Sequence, residues 1–563
     1  MIPVAVGSRV VDLRPLPRWA RWLSAALLGL AALALIGQFL VYVHYAGALL
    51  RFPFDYDQGE GFELYDTFLH TQGRWPYQDS QVFPFYTSIY PPLYHLITAP
   101  LVMAFGPQLW TGRLVSFLAS LTAAAAIAWA VRRETGQTVI AALSGLAFLA
   151  SNYTFAIGPL FRQHMSMVMF ETLAIVTLAG FDWNGSGRED AKGTRPEPRF
   201  AAAWPPSRFN RRLYLGAGLL LAAGFTKQLA LATALAALAY LFLRGPRRAL
   251  LAGLGLALVG GALFFWIDWQ TDGWWFISII RANINEYDLA QTLAFYREWL
   301  ALHAVVAAAA FGCVIHELYF GRLSAYGLWF VFAFANGALS GKFGAGESYF
   351  VTATAAACLL TGLAAGSIVR FISSDPATRT TPHSPVFAFF ASLRFKTVLS
   401  LAIPLFFLFQ TRLTLHLYTD GPVYGPLARL LGVADNSGRG YYDSQGYTQL
   451  GPRPTRADYE AGVTIAELAR QAPGPVFSEE AAFLFAAGKP VVTNPFVQLV
   501  MFQAGLFDPA EEIRMIEAQA FGLVILRAQF YPPPVLAALG ARYQPKTEVQ
   551  MNGFTYRLLE PRP

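Results

Sequence analysis

Acidic side chains cluster in a stretch that separates two apolar segments near the start of the chain. They are Asp55, Asp57, Glu60, Glu63 and Asp66. A carboxylate partly withdrawn from water has its charged form disfavoured and becomes a stronger base, so one of them could take a proton from a hydroxyl. Closely spaced carboxylates also bind hard cations, and a solvated acidic loop has the same composition. Asp57, Asp55 and Glu60 are the candidate catalytic residues.

Isolated basic side chains stand in or beside the short turns between later apolar segments. They are Arg113, Arg162, Lys227, Arg281 and Lys342. Lysine and arginine give charge-assisted hydrogen bonds to phosphate oxygens. Several of them converging from separate loops would therefore form a site for an anionic group. Each one alone could instead be an anchor whose stem packs on apolar surface while its charge reaches water.

Polar and aromatic residues near the same turns could contact a substrate such as a sugar. They are Tyr90, Tyr94, His95, His164, Asn283, Glu347 and Tyr349. Sugar recognition uses such mixtures of amides, carboxylates and aromatic faces. For the tyrosines the alternative is an aromatic belt at the membrane surface, and for His164 it is a hydrogen-bonded structural role.

The composition is that of a membrane protein. Of the 563 residues, 55% are hydrophobic and only 14% are charged, whereas soluble domains carry about a quarter charged residues. Apolar runs long enough to cross a bilayer recur, and only helices and closed barrels satisfy their backbone in lipid. The net charge is +7. The basic residues responsible for it lie between the apolar runs, so they indicate membrane topology rather than nucleic-acid binding. The sequence shows no Gly-rich phosphate loop, Cys/His zinc spacing or nucleophile elbow.

The apolar pattern predicts a polytopic α-helical protein with about eleven transmembrane helices. Their ranges are 22–45, 109–131, 138–158, 164–182, 213–225, 229–243, 248–268, 299–318, 324–341, 348–369 and 397–413. Lysine and arginine cluster in the loops that become cytoplasmic if the N-terminus is cytoplasmic. This orientation places the acidic loop and the C-terminus outside. The shorter apolar run 92–105 is expected to lie along the outer surface.

The composition changes at residue 414, where glycine, proline and aspartate rise and the apolar runs shorten. Residues 414–563 are predicted to form a soluble extracytoplasmic α/β domain, attached to a transmembrane module of residues 1–413 with a first outer loop at 46–108. The expected strands are 475–477 and 522–526, and the expected helices are 458–471, 479–487 and 509–518. The Asn552-Gly553 pair predicts a hairpin turn.

Together these motifs resemble the GT-C glycosyltransferases, which are polytopic enzymes that use polyprenyl-phosphate sugars, such as protein O-mannosyltransferases and lipid A aminoarabinose transferases. The likeness covers residues 20–370. It rests on the first span, the Asp-Gln-Gly-Glu-Gly motif at 57–61, the Tyr-Pro-Pro-Leu-Tyr segment at 90–94, Gly106 with Arg113, and the turns at 225–227 and 341–349. The chain departs from the family where members often have an acidic residue (here His164) and a charged or histidine residue before the two prolines (here Tyr90).

The resemblance implies a catalytic aspartate in the first outer loop, which Asp57 matches best and Asp55 second. It implies a polyprenyl-phosphate-linked sugar as donor and a lipid, glycan or protein as acceptor, with inversion at the anomeric carbon. It leaves a divalent cation open as a cofactor and implies no other with certainty. The protein is expected to lie in the inner (plasma) membrane, where membrane lipids surround its helices.

Two other classes of function remain open. A transporter or flippase of a lipid-linked or anionic substrate would need ionisable groups near mid-membrane and often has repeated halves, whereas here the charges gather at one face. A non-catalytic scaffold could use its outer domain to bind a partner.

Overall fold

The structure is a computed structural model that describes residues 16–179, 208–373, 393–433 and 452–563. Within these ranges the chain is mostly helical, with one small sheet near the C-terminus. The helices are α1 (Arg18–Arg51), α2 (Glu60–Thr71), α3 (Leu93–Phe105), α4 (Leu109–Thr135), α5 (Thr138–Leu149), α6 (Asn152–Ile157), α7 (His164–Ala179), α8 (Arg208–Thr226), α9 (Leu231–Arg244), α10 (Pro246–Gln270), α11 (Trp274–Ile279), α12 (Leu289–Leu302), α13 (Ala304–Phe320), α14 (Ala325–Asn336), α15 (Val351–Ser373), α16 (Leu393–Leu413), α17 (Tyr424–Leu430), α18 (Arg456–Gln471), α19 (Ala481–Ala487), α20 (Pro495–Gln503), α21 (Ala510–Glu517) and α22 (Pro533–Arg542). Short 3-10 turns occupy Gln228–Ala230, Arg281–Asn283, Gly337–Gly341 and Glu347–Phe350.

Several helices have the length and composition of membrane spans. Among the described residues, 5 helices are long and apolar enough to cross a membrane, and α12 with α13 would add one more as a bent pair. Four shorter apolar helices, α3, α5, α7 and α9, extend this set. The chain is therefore a multi-pass membrane protein, while the count of about eleven spans and the cytoplasmic N-terminus remain predictions. The loop 183–212, one of the basic loops in that topology, lies mostly outside the described residues.

The predicted span 299–318 includes a sharp bend near its start, because the chain turns by 96° between α12 and α13. At the bend Gln410 of α16 replaces hydrogen bonds that a continuous helix would make. Its Nε2 donates to the Leu302 carbonyl at 2.7 Å, and its Oε1 accepts from the backbone N–H groups of Val305 and Val306 at 3.2 and 3.3 Å. A side chain that satisfies the freed backbone groups makes such a break tolerable inside an apolar bundle.

The C-terminal sheet has the strands that the sequence predicted, extended by a hairpin. Strands β1 (Val476–Ser478), β2 (Leu523–Leu526), β3 (Tyr543–Met551) and β4 (Phe554–Pro561) lie in the order β1-β2-β4-β3. The first pair is parallel and the others are antiparallel. Asn552 and Gly553 take φ values of 52° and 77° between β3 and β4, which confirms the hairpin turn. The three predicted helices correspond to α18, α19 and α21.

This C-terminal region packs directly on the segment 46–108 that contains the acidic residues. The backbone N–H of Phe85 donates to the Val492 carbonyl at 3.1 Å, and Gln498 Nε2 donates to the Phe85 carbonyl at 3.1 Å. The Phe54 and Phe483 rings also pack together, with centroids 5.5 Å apart. The acidic loop therefore lies between the helical bundle and the C-terminal sheet, and both of them can contribute to a site there. The module boundary at 413/414 itself stays a prediction.

Candidate active site

Arg113 holds the start of the acidic loop from the interior of the protein. This fully buried side chain on α4 donates from Nη1 to the Leu49 carbonyl at 2.6 Å and from Nη2 to the Phe54 carbonyl at 2.9 Å. It also pairs with Glu60 at 2.7 Å. Burial alone would raise the pKa of Glu60, but Arg113 and backbone N–H groups hold it below the usual value. Glu60 also accepts a hydrogen bond from the Phe161 N–H at 2.8 Å. Its carboxylate oxygens are therefore used in structural hydrogen bonds.

Asp55 joins the acidic loop to the C-terminal region. Its Oδ1 accepts from the Gly61 N–H at 2.6 Å and its Oδ2 accepts from the Ala482 N–H at 3.1 Å. Tyr94 has a comparable internal role, because its hydroxyl donates to the Gly112 carbonyl at 2.9 Å. Both side chains are buried.

A cavity of about 1140 Å³ lies between the acidic loop, several turns of the helical bundle and the C-terminal region. Nine of the predicted site residues line it, namely Asp57, Tyr90, Arg162, His164, Lys227, Asn283, Lys342, Glu347 and Tyr349. Six do not line it, namely Asp55, Glu60, Tyr94, His95, Arg113 and Arg281. Arg281 is exposed at the surface instead. The structure thus brings together residues from the first loop, from 162–164, from the α8–α9 turn and from 283–349.

Asp57 lines the cavity with one carboxylate oxygen already bound. Arg162 Nε donates to its Oδ2 at 2.7 Å, whereas its Oδ1 is buried with no hydrogen-bond partner among the described residues. Gly59 allows the guanidinium to approach, because it takes a φ of +97° and an added Cβ would lie 3.1 Å from Arg162 Nη2. Burial raises the pKa of Asp57 by more than Arg162 lowers it. Asp57 therefore offers a free acceptor oxygen of increased basicity.

Lysines form the cationic wall of the same cavity. Lys227 Nζ lies 2.7 Å from His164 Nε2 and 4.8 Å from the centre of the Tyr90 ring. Burial lowers the pKa of Lys227 to about 7, against the raising effect of Glu63. Burial also lowers the pKa of Lys342. An anion entering the cavity would favour the charged form of both lysines and gain charge-assisted hydrogen bonds.

The structure adds cavity residues that the sequence did not single out for the site. Glu63 and Asp66 of α2 line it, and burial raises the pKa of Glu63 to about 7 although Arg162 and Lys227 lower it. The sequence signal that could have identified Glu63 and Asp66 as site residues was their position in the acidic cluster. The C-terminal region adds Arg527, which pairs with Glu480 and stacks on Phe554 with its guanidinium carbon 3.8 Å from the ring centre. No local pattern in the sequence marks Arg527.

Members of the family that the sequence resembles often have a second acidic residue close to the catalytic aspartate. The residues around Asp57 do not favour a metal ion at that position. Here that position is His164, whose Nε2 lies against the Lys227 ammonium, and the Arg162 guanidinium occupies Asp57 Oδ2. Two cationic side chains at these atoms would repel a divalent cation.

The comparisons with known proteins point to one architecture. No protein-family model and no curated protein sequence matches the chain. Among solved structures, it is similar to ArnT from Cupriavidus metallidurans bound to undecaprenyl phosphate, with 14% identity, a TM-score of 0.54 and coverage of 94% of this chain and 98% of that one. The apo form of the same protein gives a TM-score of 0.52 at 14% identity, covering 95% and 98%. An oligosaccharyltransferase from Archaeoglobus fulgidus gives 0.44 at 12% identity, covering 93% and 73%.

ArnT is an aminoarabinose transferase of the GT-C class, so its similarity to this chain confirms the resemblance seen in the motifs. The identity of 14% supports a statement about architecture alone. The chain therefore has the GT-C fold.

Proposed function

We propose that this chain is an integral membrane glycosyltransferase that moves a sugar from a polyprenyl-phosphate donor to an acceptor hydroxyl on the extracytoplasmic side. The observation that carries the proposal is that Asp57, whose Oδ1 has no hydrogen-bond partner among the described residues, lines the same cavity as Lys227 and Lys342. A base and a set of phosphate-binding cations are the two parts that this reaction needs from the protein. The GT-C fold and the undecaprenyl phosphate bound to ArnT support the same reaction class.

Asp57 acts as the general base. The acceptor hydroxyl donates its proton to Asp57 Oδ1 as its oxygen attacks the anomeric carbon. Arg162 fixes the carboxylate through Oδ2 and leaves Oδ1 for this contact. The new C–O bond forms as the bond to the phosphate oxygen breaks on the opposite side, so a single displacement inverts the anomeric carbon.

Lys227 and Lys342 stabilise the leaving polyprenyl phosphate. The charge on its oxygens grows as the glycosidic bond breaks, and ammonium groups already in place stabilise that charge without reorganisation. His164 and the Tyr90 ring hold the Lys227 ammonium from two sides. Asn283, Glu347 and Tyr349 line the same cavity and offer the amide, carboxylate and aromatic groups that suit a sugar.

The prenyl chain has an apolar path out of the cavity. Leu231 and Leu235 of α9 line the cavity wall, yet these side chains are 65% and 47% exposed on the apolar surface of the bundle. Such a wall suits a lipid that keeps its phosphate in the polar part of the cavity and its tail in the membrane.

Replacing Asp57 with asparagine tests the assignment of the base. The amide keeps the size of the side chain but cannot accept the proton, so transfer from a radiolabelled polyprenyl-phosphate sugar should fall by about 10²–10⁴-fold. The melting temperature should fall only modestly, because the amide oxygen can still accept from Arg162 and Arg162 keeps its ion pair with Glu63. Asp272→Asn, an exposed carboxylate outside the cavity, is the matched control and should keep wild-type transfer. Full transfer by Asp57→Asn would reject the proposed base.

Thiol labelling in intact cells tests the side of the membrane. In a chain with Cys313→Ala and Cys358→Ala, Glu517→Cys on α21 should react with a membrane-impermeant maleimide, because the predicted topology has it outside. Arg211→Cys on α8 should react only after the cells are opened. Both side chains are exposed, so access to the reagent depends on the side of the membrane. The reverse labelling pattern would place the cavity on the cytoplasmic side.

A further inference from the structure

Three side-chain amides line one wall of the cavity, and they come from segments that are far apart in the chain. Gln228 lies in the turn between α8 and α9, Asn283 ends the 281–283 turn, and Asn494 directly precedes α20. The NH₂ group of each amide faces a backbone carbonyl of the segment 87–89. This wall therefore combines the helical bundle with the C-terminal region.

Gln228 and Asn283 share the same backbone acceptors. Gln228 Nε2 donates to the Ile89 carbonyl at 3.1 Å and reaches the Ile279 carbonyl at 3.5 Å. Asn283 Nδ2 donates to the Ile279 carbonyl at 3.1 Å and reaches the Ile89 carbonyl at 3.5 Å. The two amides therefore lie side by side, each with its NH₂ group against carbonyl oxygens.

Asn494 turns toward the same segment instead of capping its own helix. An asparagine before a helix usually accepts from a backbone N–H of the first turn, but the Asn494 side chain makes no such bond. Its Nδ2 lies 3.5 Å from the Thr87 carbonyl oxygen, and the Thr87 and Ser278 hydroxyls share a hydrogen bond at 3.0 Å. The Ser278 carbonyl in turn accepts from Asn283 Nδ2 at 3.3 Å. The third amide is thereby connected to the neighbours of the first two.

The backbone carbonyls fix which end of each amide faces the cavity. A carbonyl oxygen can only accept, so the end of the amide beside it must be the NH₂ group. The amide oxygen then points away from the carbonyls. Within the described parts of the chain no donor reaches the amide oxygens of Gln228, Asn283 or Asn494. Because these residues line the cavity, they present hydrogen-bond acceptors to whatever occupies it.

Such a wall selects hydroxyl groups over anionic groups. An O–H group donates to an amide oxygen, whereas phosphate and carboxylate oxygens offer only lone pairs and are repelled. Lys227, which directly precedes Gln228 and lines the same cavity, offers a phosphate the opposite charge. The cavity therefore has an anion-binding part at Lys227 and a hydroxyl-binding part beside it.

We propose that Gln228, Asn283 and Asn494 form the subsite for the sugar of the polyprenyl-phosphate donor, and that this sugar is neutral and carries free hydroxyl groups. This assignment rests on the proposed function. The amide oxygens accept from the sugar hydroxyls while the phosphate to which the sugar is attached lies on Lys227. A uronic acid in the same place would put its carboxylate against amide oxygens, and a deoxy sugar would leave one of those oxygens unpaired.

Binding of lipid-linked sugars to the purified full-length chain tests the subsite. The probes are bare undecaprenyl phosphate and the same lipid carrying glucose, mannose or galactose. Each monodeoxy form of the hexose that binds best, and its uronic acid, complete the set. We expect that hexose to bind about tenfold more tightly than its uronic acid, and at least one deoxy form to bind about tenfold more weakly than the hexose.

Gln228→Leu, Asn283→Leu and Asn494→Leu should each lower the affinity for the hexose by about tenfold and bring it toward the affinity for a deoxy form. A purely structural role would lower the affinity for every lipid alike, bare undecaprenyl phosphate included. The matched control is Gln291→Leu on α12. Gln291 Nε2 also donates to a backbone carbonyl, that of Ser340 at 2.7 Å, but Gln291 does not line the cavity. This control should keep the wild-type ratio of hexose to deoxy affinity.

The outcomes separate the subsite from the reaction. A uronic acid lipid bound as tightly as its hexose would overturn the subsite and leave the proposed function intact, as would an equal loss of affinity for every lipid in the three amide variants. If those variants do not fold, the preferences of the wild type among the lipids decide alone. Selective binding of a neutral hexose without transfer would keep the subsite and remove only the catalytic proposal. No binding of any lipid would overturn both.

Discussion

The carboxylates of the acidic loop differ in chemistry because their partners differ. Asp55 accepts two backbone N–H groups, and Glu60 pairs with a buried arginine. Asp57 keeps one oxygen without a partner among the described residues, and the pKa of this side chain is raised by burial. Side chains of one type within a few residues of each other thus divide into structural groups and one candidate base.

At the same scale, Lys227 predicts a pH dependence of donor binding. Its pKa is about 7 in the free protein, and a bound phosphate would raise it. Lys227 is therefore mostly charged below about pH 7, and above that pH donor binding needs proton uptake, so the affinity should fall by up to about tenfold per pH unit. The KM for the donor, measured between about pH 6 and pH 9, should rise accordingly in the wild type.

Lys227→Arg is the control for this titration, because arginine stays charged throughout. The KM of this variant for the donor should vary less with pH, even if its absolute value is higher. A pH dependence caused by titration of Asp57 or Glu63 would instead appear in both proteins. A wild-type KM that does not change with pH would contradict a phosphate-binding role for Lys227.

Among the elements, α2 connects the candidate base to the C-terminal region. Its first turn begins after Gly59 and carries Glu60 and Gly61, and this turn touches α19. Close backbone approach at this contact allows Asp55 to accept from both Gly61 and Ala482. The position of Asp57 relative to the cavity therefore depends on how tightly α2 and α19 pack.

Gly61→Ala should separate these two helices. The added Cβ would lie 2.5 Å from the Ala482 backbone nitrogen and 2.9 Å from Asp55 Oδ2, so backbone must shift at a cost of about 1–3 kcal/mol. The melting temperature and the transfer rate should fall together. Gly218→Ala in α8, where an added Cβ meets nothing within 4 Å, should be neutral or slightly stabilising. Equal stability of the two variants would show that α2 and α19 do not pack closely enough at Gly61 to exclude an added methyl group.

For the whole molecule, the site is assembled from both halves of the chain. The bundle supplies Arg162, Lys227 and Lys342, and the C-terminal region supplies Arg527 together with aromatic side chains of 496, 530 and 554. The C-terminal region is therefore part of the cavity rather than a separate binding module, and we expect its removal to leave the bundle without a complete site.

A pair of substitutions tests whether Arg527 serves the cavity or only the fold. Arg527→Gln leaves buried Glu480 without its cation, which should lower stability by about 3–5 kcal/mol as well as transfer. Adding Glu480→Gln removes the uncompensated charge, so the double variant should regain much of its melting temperature but not its transfer activity. Wild-type transfer by the double variant would assign Arg527 a purely structural role.

The sequence by itself determined the elements whose causes are local. Apolar runs near bilayer length predicted most of the helices, and the Asn552-Gly553 pair predicted the hairpin. The motifs of the first loop, taken with the first span, Arg113 and the turns at 225–227 and 341–349, identified the GT-C resemblance. The bend between α12 and α13 escaped this reasoning because the group that permits it, Gln410, lies about a hundred residues further along the chain.

Only the tertiary structure decided which candidate residues form the cavity. Asp55 and Asp57 are two positions apart and look alike in the sequence, but one meets Ala482 and the other meets Arg162. His95 and Arg527 likewise take their surroundings from distant segments. The basicity of a carboxylate or the charge of a lysine depends on desolvation and neighbouring charges. Those are set by long-range packing, which no local pattern records.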